Sequence, residues 1–344
     1  MTTTVRRSAV RALAQGIADV VRAPWLIVAA AAITMAMALP FAVVLGTRLQ
    51  TSLASQPPVA LAETEIDPEW WEEFRRHAGG LEATFTPAVL GFAAALDSIS
   101  GLLDGRQPPA AVLGPLALSI VAWAFLWGGI LRRFERGERI SLSRFVESGF
   151  AFLPRFIGIA ALAAAIMIAL FLTWHRVLFG PIYGSLAAMT STERDTFLIR
   201  VMLYLIFIAP LVVVSLIADY ARIASVAGQA RSLGEAVRTG TRFVRGNLGA
   251  VITLYVMAAA ILLVLTVAYG ALELYGGSQV GGWRAIAIGQ LYILLRLAMR
   301  LVAAASELRL FAPGAMPQSP STAAAASGWA QSAAHPSDTQ SPPP

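Results

Sequence analysis

Residues 248–267, LGAVITLYVMAAAILLVLTV, carry no charge and run for the length a helix needs to cross roughly 30 Å of hydrocarbon. The preceding stretch, RSLGEAVRTGTRFVRGN, puts Leu233, Ala236, Val237, Gly240, Phe243 and Val244 on one helical stripe. Glu235, Arg238, Arg242 and Arg245 fall on the other face, as in a helix lying at a water–lipid boundary. A surface helix followed by a span is therefore the unit to look for elsewhere in the chain.

Composition extends that reading to the whole sequence. With 57% hydrophobic and 13% charged residues, and a mean hydropathy of +0.67, these 344 residues need an apolar solvent. The expected class is all-α, a polytopic membrane helical bundle. All 26 basic residues are arginine, and they cluster beside apolar spans, where the positive excess of cytoplasmic loops accounts for them without nucleic acid. The absence of cysteine excludes disulfides, thiolate catalysis and cysteine metal sites.

In order, residues 1–23 form an amphipathic helix with Ala9, Leu13, Gly16 and Val20 on one side, expected on the cytoplasmic surface. Six spans follow at about 24–46, 110–131, 157–174, 197–217, 248–270 and 283–304, within a membrane domain of 24–312. Residues 48–109 are a long acidic insertion, read as an outer helical segment. There Asp67 is an N-cap and Pro68 a first helical residue, while residues 86–103 form a further surface helix. A second amphipathic segment leads into the third span, a short outer loop follows it, and Arg200 can snorkel near the outer end of the fourth. Residues 313–344, rich in Pro, Ser, Ala and Gln, read as a disordered cytoplasmic tail.

Charge and repetition support this layout. Placing the N-terminus, the loops after spans two and four, and the C-terminus on one side collects 18 of the 26 arginines there but only 8 of the 20 acids. That side is predicted to be the cytoplasm. At an offset of 91 residues, Gly137, Ser141, Leu142, Val146, Gly149, Leu153 and Gly158 match Gly228, Ser232, Leu233, Val237, Gly240, Val244 and Gly249. Leu13, Gly16, Val20 and Arg22 form a looser third copy. The pattern predicts three parallel repeats, each with a surface helix and two spans.

The candidate polar sites lie on the later spans. Arg296 and Arg300 share a helical face, and Arg296 lies roughly 18 Å by helical rise from Trp283, a depth at which an arginine needs a partner or a wet cavity. Asp219 is the expected counter-ion, in a pair that either fixes packing or belongs to a polar cavity for an anionic headgroup or solute. Gln290, Tyr292, Thr253 and Tyr255 either line a solute path or bond neighbouring helices, with small residues such as Gly128 and Gly129 allowing close approach. The histidines, His77, His175 and His335, are scattered, and no hydrolase, metalloprotease, P-loop or dinucleotide signature occurs. No catalytic residue, metal or cofactor is expected.

The run GGILRRFERGERISLSRFVESGFAFLPRF, with DPEWWEEFRRHAGG and LEATFTPAVLGFAAALD, resembles uncharacterised six-span inner-membrane proteins of bacteria. A looser likeness is to the membrane domain fused to some glycerophosphodiester phosphodiesterases, whose soluble catalytic domain has no counterpart here. The resemblance implies a bacterial inner membrane and no assigned activity. The functional expectation is a non-enzymatic module handling membrane lipid or an amphipathic solute. The alternative is a scaffold or accessory subunit that binds proteins through its tail or outer helices.

Overall fold

A backbone in hydrocarbon has no water to bond, so each uncharged stretch satisfies its N–H and C=O groups internally, as a helix. The computed structural model describes residues 8–54, 68–79, 82, 101, 104, 110–137, 140–276 and 283–311. The helices are α1 (Ala9–Val21), α2 (Trp25–Ala54), α3 (Pro68–His77), α4 (Ala110–Arg136), α5 (Leu142–Leu170), α6 (Tyr183–Ala188), α7 (Glu193–Val226), α8 (Leu233–Gly246), α9 (Leu248–Gly276) and α10 (Trp283–Phe311). Among the described residues there is no strand. Six helical stretches are long and apolar enough to cross a membrane: Trp25–Thr51, Leu113–Arg136, Leu142–Ala188, Glu193–Val226, Leu248–Leu272 and Ile286–Phe311. The chain is a multi-pass, all-α membrane protein. Its outer surface is correspondingly apolar; Val28 is 65% and Val264 67% exposed, which hydrocarbon tolerates and water would not.

The third span departs from expectation in two ways. Its amphipathic lead-in and the span itself form one helix, α5, with Pro154 inside it. No glycine or asparagine cap interrupts the chain there. Nor does the helix end near residue 174. It continues through two π-helical turns, Phe171–His175 and Leu178–Ile182, into α6, so the expected outer loop is mostly helical. The second turn contains Pro181, whose missing N–H the wider turn accommodates. By contrast α8 and α9 are separate, because Asn247 leaves the helical region at φ −132° while its side-chain amide donates to the Phe243 carbonyl.

At the end of α7 that begins at Glu193, Arg200 does not simply reach for water. Its guanidinium bonds Asp104 at 3.0 Å, and the Tyr204 hydroxyl donates to the same carboxylate. The proline at the expected start of the insertion helix opens α3, whereas Asp67, residues 86–100 and the 313–344 tail lie outside the described residues.

Most of the core lies at the opposite end of the bundle, where amphipathic segments pack crosswise on spans. Glycines permit the approach. A Cβ on Gly16 of α1 would stand 2.8 Å from the Ser306 backbone nitrogen of α10 and 2.9 Å from the Val302 carbonyl. On Gly240 of α8 it would stand 2.8 Å from the Ala221 nitrogen of α7, and on Gly128 of α4 it would lie 3.0 Å from the Cα of Gly149 in α5. Each amphipathic segment thus rests on the second span of the preceding pair, and α1 rests on the last span of all. The contacts therefore close on themselves.

The same three segments begin alike. Ser8, Ser141 and Ser232 cap α1, α5 and α8 by accepting from the backbone N–H three residues on. Gly137 and Gly228, at φ +69° and +71°, terminate the preceding spans in the left-handed region open to glycine. At Ser232 the cap is reciprocal, since Glu235 accepts from the Arg231 and Ser232 backbones at 2.8 and 3.3 Å.

Candidate functional site

A cavity of about 340 Å³ lies where α4, α7 and α10 converge, closed in by α5 and α9. The three converging spans line it at helical spacing, with Trp127 and Leu131 from α4, Ala218, Asp219 and Arg222 from α7, and Arg300, Ala303, Ala304 and Glu307 from α10. One face of each span therefore looks inward. In a bundle otherwise held by Leu, Ile, Phe and Ala, four ionisable side chains around one space are its most polar interior feature.

Asp219 is saturated by its neighbours. Its Oδ1 lies 2.9 Å from Arg222, one turn along the same helix, and its Oδ2 accepts the Tyr255 hydroxyl of α9 at 2.6 Å. The expected partners were Arg296 or Arg300, and neither forms that bond. An i,i+3 arginine reaches the carboxylate without any tertiary constraint, while the Arg300 guanidinium is drawn instead onto the rings of Trp123 and Trp127, at 4.0 and 5.6 Å from their centroids. Arg300 nonetheless lines the same cavity as Asp219, whereas Arg296 is exposed and does not.

Glu307 completes the group. It is 6% exposed and lies beside the Tyr255 hydroxyl that Asp219 also accepts. Among the described residues neither Glu307 nor Arg300 has an opposite charge within 4 Å. The cavity therefore has a cationic end at Arg300 and an acidic end at Glu307, with a neutralised Asp219–Arg222 pair between them. Ser215 adds a hydroxyl, which donates to its own helix at the Leu211 carbonyl.

The other candidates separate cleanly. Tyr255 belongs to the cavity. Tyr292 bonds Thr266 of α9 at 3.1 Å and stacks on Tyr269 with centroids 4.3 Å apart, tying α9 to α10. Thr253 donates to its own helix at the Gly249 carbonyl, and Gln290 is exposed. Glu307, Arg222, Trp123 and Trp127 were not singled out from sequence. The signal was present, since Glu307 is seven residues from Arg300 and hence on the same face, but it was indistinguishable from the charged end of a span.

No group of three or more His, Cys, Asp or Glu among the described residues could hold a metal ion. No family model, curated protein or solved structure matches the chain. The reading of its role therefore rests on this cavity.

Proposed function

We propose that this integral membrane protein is a non-enzymatic module that binds a lipid or amphipathic solute in the α4–α7–α10 cavity. The observation that carries the reading is a cationic Arg300 and a buried acid, Glu307, two turns apart on one face of one span around an open volume. A pair serving packing alone would be in contact, and a scaffold needs no interior space. A buried acid with no ion-pair partner in contact beside an open volume is costly unless something binds there.

The same reading places the protein in the inner membrane of a bacterium, with both termini cytoplasmic. It is supported by the arginine excess of the end that carries α1 and α8. We further infer three parallel units of surface helix and two spans. This rests on the matched serine caps, the matched crossing glycines and the closure of α1 onto α10. The cavity then lies where the second spans of the three units meet.

The test is purification of the full chain in native-lipid discs, followed by mass spectrometry of what remains bound. A lipid or solute in fixed ratio to the protein, lost in Arg300→Gln, is the expected result. Recovery of bulk lipid alone together with a stoichiometric protein partner would favour the scaffold reading.

A further inference from the structure

The order of charges along the cavity specifies more than affinity for lipid. On α10 the cation, Arg300, is farther from the α1-covered end of the helix than the acid, Glu307. The two also differ in access, Arg300 being exposed and Glu307 buried. A ligand entering from the bilayer interior meets positive charge first and negative charge last, near the membrane surface. A phospholipid of that leaflet has the same order in complement: acyl chains toward the midplane, phosphate next, and the headgroup terminus outermost.

We propose that the cavity is a site for a phosphate joined through a short link to a primary ammonium, the headgroup of an aminophospholipid. The inference rests on the lipid-binding reading above and names the ligand class. The phosphate sits at Arg300, and the ammonium sits against Glu307.

Each end fits its group for a chemical reason. The Arg300 guanidinium carbon lies 4.0 Å from the Trp123 ring centroid, a ring contact that takes up none of the N–H donors a phosphate would use. The Trp127 indole N–H, on a residue 7% exposed that lines the same cavity, has no acceptor among the described residues and adds a donor. At the other end the Glu307 carboxylate and the Tyr255 oxygen offer acceptors to an ammonium with three N–H donors. A quaternary ammonium has no such donors and would need an aromatic cage. The rings that could form one are already stacked on Arg300. A glycerol or other uncharged headgroup offers Glu307 no ammonium donors.

Seven residues are two helical turns, so Arg300 and Glu307 share one face of α10 with their Cα atoms about 10 Å apart.

The full-length protein, in discs of phosphatidylcholine doped with equimolar phosphatidylethanolamine and phosphatidylglycerol, is released into mild detergent. Lipids retained on the intact protein are then counted by native mass spectrometry. Phosphatidylethanolamine is expected to exceed each of the others about tenfold, a difference of about 1.4 kcal/mol. Glu307→Gln should abolish that preference while a phospholipid is still retained, and Arg300→Gln should lower retention of every class. Should Glu307→Gln not remain monodisperse, Tyr255→Phe keeps both carboxylates and weakens the same end, and is expected to reduce the preference. A parallel arm adds soluble glycerophosphoethanolamine. Saturable binding of that compound without retained phosphatidylethanolamine identifies a free solute as the source of the same chemistry, whereas retained lipid that resists it identifies the membrane. Equal retention of phosphatidylglycerol or phosphatidylcholine, or a preference that survives both Glu307→Gln and Tyr255→Phe, overturns the proposal and leaves the lipid-binding reading standing. Failure to retain or bind any of these probes removes both.

Discussion

Arg309 near the end of α10 donates through Nε to Asp19 Oδ2 of α1 at 2.7 Å, and the two side chains are only 11% and 12% exposed. The bond fastens the first helix to the last span across 290 residues of chain, beside the close crossing of Gly16 and Ser306.

Neutralising Asp19 as Asp19→Asn is expected to destabilise the protein by about 3 kcal/mol, as for other ion pairs with little solvent access, because Arg309 loses the carboxylate it donates to. Arg309→Gln should cost a similar amount, and the double variant should lose less than the sum. Thermal unfolding of the four proteins in discs gives the coupling, expected at about 1 kcal/mol or more. Strictly additive losses would show that the bond does not hold α1 in place.

Gly240 and Gly234 lie on the same amphipathic helix and should respond oppositely to alanine. A Cβ at 240 would stand 2.8 Å from the backbone nitrogen of Ala221, and backbone cannot swing aside. Gly240→Ala is expected to cost about 1–3 kcal/mol. Nothing lies within 4 Å of a Cβ at 234, so Gly234→Ala should be neutral or stabilise by up to about 1 kcal/mol through helix propensity. Equal effects at the two sites would contradict the crossing of α8 over α7.

The cap of α8 makes a pH-dependent prediction. Backbone N–H groups of Arg231 and Ser232 bond the Glu235 carboxylate and hold its pKa below the usual glutamate value. A depressed folded pKa means the cap contributes fully above the unfolded value of about 4.3 and is lost as pH falls through the folded one. The difference in melting temperature between wild type and Glu235→Ala should therefore be greatest near neutral pH and close in acid. A difference that grows in acid would contradict the cap.

Topology can be read with reporters. A fluorescent protein that matures only in the cytoplasm should glow when fused after residue 311 and stay dark when inserted at residue 90. A periplasm-active phosphatase should give the reverse. The same signal from both positions would remove one of the six crossings or reverse the assignment of the arginine-rich end.

Crossing a membrane is a local property. The uncharged run at 248–267 must be a helix whatever it touches, since its own backbone is the only partner for its N–H groups. Capping serines and crossing glycines are local in the same way, which is why Ser141 and Ser232, or Gly149 and Gly240, could be matched by register before any contact was known. Even so, α5 ran on through Pro154 and then through two π-helical turns, because neither Pro154 nor Pro181 was enough to end a helix surrounded by hydrocarbon.

Partner choice is not local. Helical period places Arg296 and Arg300 on one face of α10, and Asp219 and Arg222 on one face of α7, but says nothing about which face of α7 meets which face of α10. Only the packed bundle gave Asp219 to Arg222 and Tyr255, laid Arg300 on Trp123, and turned Glu307 inward to the cavity. Separation between helices decides such contacts, and it is set by glycines and rings from segments far apart in the chain.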